Sequence, residues 1–451
     1  MIFLCFLQEQ RNERTFVKEK FIMIELFEKY LTRQCLYGNE PLRFSTIEMV
    51  VVIPCFDEQN ICLVIESLSN NILPVCNIEI IVVLNAPENA TNNQIKQNEY
   101  SYSELCRIKQ KLPLSINLRI ICVKNIPLKY AGVGFARKIG MDEAIRLFFL
   151  SKNMTGIIIS LDADCLVENN YLQIIYSKFH ENKKINTAVI YFEHILPEND
   201  NMQLYEAGIL YELYLRYYVE ALRYARYPYP YFTIGSTFAI RADAYVKIGG
   251  MNKNQAGEDF YFLQKAFLLD GIVEINDTTV YPEIRQSDRV IFGTGPAIQK
   301  MLKKEEISWK TFSLEAFDNL KIFFDSINTL YKINEEGLKD WFYKLPQSMQ
   351  AFLSKNMDYE NKICEINANT SSQINFRKRF FSWFNAFQII KFLHHIHPTD
   401  DDLNDIEMVA AALLQKLFGE SKKYSSHEEL LEIYRKMQKN HSSDFGMEKL
   451  A

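Results

Sequence analysis

Two acid pairs occupy positions where chemistry could be done. Asp162-Ala163-Asp164 follows directly on the apolar run Ile157-Ile158-Ile159-Ser160-Leu161. In an open α/β sheet, ligands bind beyond the carboxyl ends of the strands. Two carboxylates one residue apart at such an end suit a hard divalent cation that also bridges substrate phosphates. An Asp-x-Asp by itself is equally well a pair of solvated loop aspartates, and the apolar strand before it is what gives the metal reading its weight. Glu258-Asp259 follows Gly257 and opens a helical pattern that runs to Leu269. The helix dipole alone favours acids in a first turn. The chemical reading is a general base, a carboxylate within hydrogen-bond reach of an acceptor hydroxyl.

Four further stretches invite a functional reading and have a plain one beside it. Ala131-Gly132-Val133-Gly134-Phe135-Ala136-Arg137-Lys138 is no dinucleotide loop, since no strand runs into it and Arg137 replaces the third glycine. Its glycines before a basic helix start suit an anion, or an ordinary loop. The stretch Arg285 to Gly295, with Arg289 and Gly293-Thr294-Gly295, reads as a phosphate-reaching lid or as a surface loop. The tract Tyr205 to Tyr231 could stack an acceptor, but a semi-buried helix is the better reading. His394-His395-x-His397 lies at a helix end before Pro398, where histidines complement the dipole more readily than they bind metal.

The elements that must position these residues come from the hydrophobic pattern. Met49 to Pro54, Ile78 to Leu84, Leu118 to Val123, Ile157 to Leu161 and Thr187 to Phe192 read as strands, the first ended by Pro54. Helical periods cover Asn60 to Asn70, Phe135 to Leu150 and Asn170 to Glu181. The alternation predicts an α/β fold with a mixed, mostly parallel sheet flanked by helices. From Trp309 onward the pattern turns helical: Ser313 to Tyr331, Glu335 to Phe342, Phe376 to His394, Asp401 to Phe418 and Glu428 to Lys439. The expected organisation is an N-terminal helical extension over 1–47, a catalytic domain over 48–300 and a C-terminal α-helical region over 301–451.

Composition bounds the function classes. The 451 residues carry 51 basic and 56 acidic side chains, a formal net charge of −5, so the mean field repels polyanions and nucleic acid is not an expected partner. Nine cysteines, irregularly spaced and without Cys-x-x-Cys, predict a reduced chain without disulfides. The apolar start Met1 to Leu7 is too short for a signal peptide, and Met23 is a candidate true start. No run reaches 18 apolar residues, so no transmembrane helix is expected. The expected location is the cytoplasm, with contact at the inner membrane face and homo-oligomer formation left open. Aromatic residues make up 13% of the chain, an excess that these motifs explain only in part.

Taken in order, the motifs resemble the family 2 glycosyltransferases with a GT-A fold. Val51-Val52-Ile53-Pro54-Cys55-Phe56-Asp57-Glu58 is similar to the family's opening V-I-P-x-Y/F-N-E, and Ile80 to Leu84 to its second strand. Gly134-Phe135-Ala136-Arg137-Lys138-Ile139-Gly140 is similar to its G-x-x-A-R-N-x-G, Asp162 and Asp164 fall at its D-x-D, and Glu258-Asp259 at its acceptor-side acid pair. Gly235, Thr237 to Ile240 and Ala244 to Gly250 look like the stretch leading to that pair. The resemblance implies inverting transfer of a sugar from a nucleotide-diphosphate sugar to a glycan, lipid or small-molecule acceptor, with Mg²⁺ or Mn²⁺. It would make Asp164 a metal ligand and Asp162 a ribose or metal-shell contact. Asp259 would be the base and Glu258 its support. Arg137 and Arg289 would contact the donor phosphates, Gly134 the donor, and Pro54, Asp57, Glu58 and Asn85 the nucleotide pocket. The second strand ends in Leu84-Asn85-Ala86-Pro87-Glu88 rather than the family's Asp-Asp-Gly-Ser, so the base is left open. The Q-x-x-R-W signature of processive synthases is absent, so single-sugar transfer is expected. The alternatives are a catalytically silent nucleotide-sugar-binding protein and a nucleotidyltransferase.

Overall fold

The structure, a computed structural model, describes residues 21–38, 40–197, 201–253, 257–285, 293–303, 307–419 and 424–441. The chain separates into two compact units. One holds Met1–Glu193 and Thr233–Glu283, the other His194–Phe232 and Gly293–Ala451.

The first unit is built on an eight-stranded sheet. Its strands are β1 (Met49–Cys55), β2 (Ile78–Pro87), β3 (Ile116–Ile126), β4 (Ile157–Ser160), β5 (Cys165–Val167), β6 (Thr187–Phe192), β7 (Phe238–Arg241) and β8 (Ile272–Pro282). They lie in the order β3-β2-β1-β4-β7-β6-β8-β5. The β1–β2, β1–β4, β2–β3 and β6–β8 pairs are parallel, and β4–β7, β6–β7 and β5–β8 antiparallel. This is the mixed, mostly parallel sheet flanked by helices that the sequence predicts for a GT-A-type fold, and helices make up most of the chain after residue 312. Every residue of β1 is buried, as expected of a central parallel strand covered on both faces. Pro54 does not end this strand. It lies within it, opposite Val83, one residue before the chain leaves the sheet.

The register brings the site residues to one edge. Cys55 pairs with Leu84, and Val52 with Ser160, so Asp57 and Asp162 follow the carboxyl ends of β1 and β4, and Asn85 lies in the last residues of β2 on the same side. The helix Val133–Leu150 crosses back from β3 to β4, which brings its N-terminus to that same edge. Gly140 sets how closely it packs: a Cβ there would overlap Val52 Cγ1 and lie 3.2 Å from Val83 Cγ2. Gly140→Ala is therefore expected to cost about 1–3 kcal/mol, the usual penalty of overpacking. Urea unfolding should show a lower midpoint at an unchanged slope.

Aromatic residues fill the second unit. Tyr211, Tyr217 and Tyr227, from the tyrosine-rich tract, are buried, and Tyr217 Oη donates to Phe312 O at 3.0 Å. The tract is thus mostly the core of the helix Met202–Tyr224 and the turn after it. Phe323, Phe324, Phe380, Phe381 and Phe384 pack ring on ring with centroids 4.7–6.3 Å apart. Edge-to-face and tilted pairs of this kind add to plain area burial, and they account for much of the aromatic excess. The period read as one helix over Phe376 to His394 is two helices, Gln373–Trp383 and Ala386–Ile396. Asn385 interrupts them, its Oδ1 accepting from the Phe387 and Gln388 amides. His397 Nδ1 donates to Leu393 O at 2.8 Å and its Nε2 lies 3.0 Å from Ser313 Oγ, so its ring joins a helix end to the N-cap of the helix Leu314–Ser326.

Candidate active site

The centre of the candidate site is a guanidinium. Arg137 sits in the first turns of Val133–Leu150, one turn before Gly140, and is 2% exposed. Its Nη2 donates to Asp162 Oδ1 at 2.6 Å, and its Nη1 donates to Glu258 Oε1. One planar fork thus joins the two acid motifs, which lie nearly a hundred residues apart in sequence. The Nε–H of Arg137 is buried and has no partner. Gly235 makes room for the fork, because a Cβ at that position would lie 2.6 Å from Nη2. The carbonyl of Gly235 is held by Ser160 Oγ, at the end of β4, at 2.6 Å. Sequence reading singled out Arg137 and Gly235 separately, and their mutual fit follows only from the fold.

The helix Glu258–Phe267 starts at Gly257, whose φ of 69° is left-handed and favours glycine. Glu258 is 1% exposed and Asp259 part-buried. Asp259 Oδ1 accepts from the Phe260 amide at 2.8 Å. Burial pushes Glu258 up to about 6 against the pull of Arg137, and the neighbouring Asp259 pushes the same way. Asp259 is also raised, by burial first, with Arg137 opposing. Burial disfavours the charge on Arg137, but Asp162, Glu258 and Asp259 outweigh it and hold its pKa above the usual guanidinium value. Carboxylates with raised pKa values are better proton acceptors near neutrality than ordinary ones.

Asp162 is about one-third exposed. Asp164 is part-exposed, with the Cys165 thiol 3.5 Å from its Oδ1. No group of three or more His, Cys, Asp or Glu side chains gathers as a metal cage among the described residues. The donor set is two carboxylates at a strand end, one of them already sharing an oxygen with Arg137. That set fits Mg²⁺ or Mn²⁺ completing its shell from a diphosphate and water, the usual mode for Mg²⁺. It does not fit a cation held by protein alone.

Beyond β1 and β2 a second group of candidates is tied together. Asp57 takes a left-handed φ of 51°, and its amide donates to Asn98 Oδ1 at 3.0 Å. Asn98 Nδ2 in turn donates to Asn85 O at 3.0 Å. Glu58 is buried, its Oε1 accepts from the Asn60 amide, and its carbonyl accepts from Gln97 and Ser101. Gln97, Asn98 and Ser101 lie on the helix Asn92–Lys109, which the sequence reading did not identify. Pro54 is inside β1, and Gly134 is buried in the first turn after the N-cap Gly132. Arg289 lies outside the described residues.

No protein-family model and no curated protein sequence matches the chain. Solved structures similar to it include S. aureus TarS residues 1–349 in complex with UDP-GlcNAc, at 14% identity and a TM-score of 0.38, covering 75% of this chain and 91% of that one. GalNAc-T7 with UDP, GalNAc and Mn²⁺ is 14% identical with a TM-score of 0.36, over 70% of this chain and 57% of that one. The mannosyltransferase PcManGT from Pyrobaculum calidifontis, in complex with GDP-Man and Mn²⁺, is 10% identical with a TM-score of 0.35, over 94% and 96%. With every TM-score below 0.5, these likenesses assign the chain no reaction. No helix among the described residues is long and apolar enough to cross a membrane, and the eight cysteines among them are free.

Proposed function

We propose that the chain is a glycosyltransferase that moves a single sugar from a nucleotide-diphosphate sugar to an acceptor hydroxyl with inversion. The observation that carries this reading is the Arg137 fork, which holds an acid of the Asp-x-Asp pair and an acid of the helix-start pair at one sheet edge. An edge that supplies cation ligands and a general base side by side is what transfer from a diphosphate donor requires.

Asp259 takes the proton of the acceptor hydroxyl as its oxygen bonds to the anomeric carbon. The bond from that carbon to the diphosphate breaks on the opposite face, and its electron pair leaves with the diphosphate. Attack from the face opposite the leaving group inverts the anomeric centre. Glu258, held by Arg137, orients the helix start and adds negative charge beside Asp259. Asp162 and Asp164 would hold a divalent cation, which supplies neutralisation of charge on the leaving diphosphate. The charge of Arg137, beside Asp162, would favour the donor diphosphate. Asp57, Glu58 and Asn85, braced by Asn98 and Ser101, line the nucleotide side, together with Pro54, the last residue but one of β1. In this reading residues 48–300 supply the chemistry, and residues 301–451 serve the acceptor or an assembly.

The test is a mass-spectrometric screen of nucleotide sugars with a cell extract as acceptor source. The expected result is a product heavier by one sugar, formed only with Mg²⁺ or Mn²⁺. A nucleotide sugar that binds and is never turned over would instead support the silent binding protein, and transfer of a nucleotidyl group would support the nucleotidyltransferase.

A further inference from the structure

A buried carboxylate lies one turn behind Arg137. Asp142, on Val133–Leu150, is 3% exposed. Its Oδ1 accepts from Tyr30 Oη at 2.6 Å and from Tyr245 Oη at 3.2 Å, and its Oδ2 accepts from Lys138 Nζ at 2.8 Å. Lys138, the residue after Arg137, also donates to Gln34 Oε1 at 2.9 Å. Tyr245 Oη accepts in turn from the Met251 amide at 3.1 Å. Met251 follows Gly249 and Gly250, whose φ values of 83° and 71° are left-handed. A Cβ on Gly250 would collide with Tyr30 Oη. The Tyr245 ring packs 5.5 Å from Phe262, one turn after Glu258 on its helix.

Three segments therefore meet at one carboxylate, the N-terminal helix over 21–31, the helix that bears Arg137 and the helix Ala242–Lys247, and the turn over 249–251 is joined to them through Tyr245 Oη. Phe27, fully buried and stacked on Phe149 at 6.5 Å, seats the N-terminal helix there. A buried carboxylate with three donors is costly to leave under-satisfied, so each donor holds its segment in place. We propose that Asp142 is a positioning residue for the acid pair, and that Tyr30 completes its donor set and makes the N-terminal helix part of the working site. The proposal rests on the reading of Asp259 as the base.

Tyr30→Phe removes one hydroxyl and keeps the ring, so it tests the link without opening a cavity. Amide exchange is expected to speed up about tenfold or more in peptides covering Tyr245–Met251 and the start of Glu258–Phe267. In the transfer reaction, kcat is expected to fall about tenfold with the donor KM within twofold. Tyr434→Phe is the control. It removes another buried hydroxyl, which donates to Ala410 O, and it should lower the melting temperature without moving either readout. Unchanged exchange at Met251 in Tyr30→Phe overturns the proposal whether or not a donor has been found. An unchanged kcat, once a donor is known, overturns it as well. Loss of transfer in Tyr30→Phe together with full transfer in Asp259→Asn would contradict the base assignment and leave the Asp142 link supported through exchange.

Discussion

Asp259→Asn is expected to leave a folded protein that transfers sugar about 10²–10⁴-fold more slowly, the usual contribution of a positioned general base. The amide keeps the oxygen that accepts from the Phe260 N–H, so the helix start is preserved and only the basicity is lost. The wild-type pH profile provides a second readout. Burial and the charge on Asp259 push Glu258 up to about 6 against the pull of Arg137, and burial raises Asp259 as well. Carboxylates accept protons only when ionised, so kcat/KM should rise with pH through an acid limb near that value and level off above it. The limb belongs to the interacting pair rather than to one residue. In Asp259→Asn the like charge beside Glu258 is gone, so the acid limb of any residual activity should move to lower pH. Full activity in this variant would remove Asp259 from the role of base.

Arg137→Met carries the second large effect. The substitution roughly keeps the volume and deletes the charge, leaving Glu258 and Asp162 without their shared partner in a site where Glu258 is almost wholly buried. Removing one partner of a buried pair costs on the order of 3–5 kcal/mol, so denaturant unfolding should show a clearly lower midpoint. Arg137 pulls the pKa of Glu258 down, so its loss should raise that pKa and narrow the range of pH over which the pair is ionised. Arg137→Lys should recover part of the stability and little of the activity. One ammonium cannot span two carboxylates in the planar geometry that Nη1 and Nη2 provide. Donor affinity and unfolding midpoint, measured together on both variants, separate loss of the fold from loss of the site.

The strands that carry the candidate site were legible because they are buried on both faces and read as unbroken apolar runs, as in Val50–Ile53, Ile80–Leu84 and Ile157–Ile159. β8 was not legible. Its residues Ile272–Pro282 include Glu274, Asn276 and Asp277, a composition that looks like a turn until β6 and β5 pair on either side. Asn92–Lys109 was missed for a related reason: it is polar over most of its length and buries only Ser101 and Leu105. Its Thr91/Gln94 capping box was a usable local signal. The interruption at Asn385 was signalled too, by a good N-cap residue within an apolar period. Within the site, the residue types and their order could be read locally. The Arg137 fork could not, because it depends on the β1–β4 register and on the close approach that Gly140 and Gly235 allow. The histidine motif and the tyrosine tract went the plain way, into a helix junction and a core, because aromatic rings stabilise packed helices without any ligand.

The central claim is that this sheet edge binds a nucleotide-diphosphate sugar through a cation held at Asp162 and Asp164. Calorimetric titration of wild type and Asp164→Asn with a panel of UDP-, GDP-, CMP-, ADP- and dTDP-linked sugars, each with and without Mn²⁺, tests it directly. The account predicts that at least one diphosphate-linked sugar binds wild type, that Mn²⁺ tightens this binding tenfold or more, and that Asp164→Asn loses the Mn²⁺ effect. Absence of binding across the panel would contradict it, as would binding that is the same without Mn²⁺ and in Asp164→Asn.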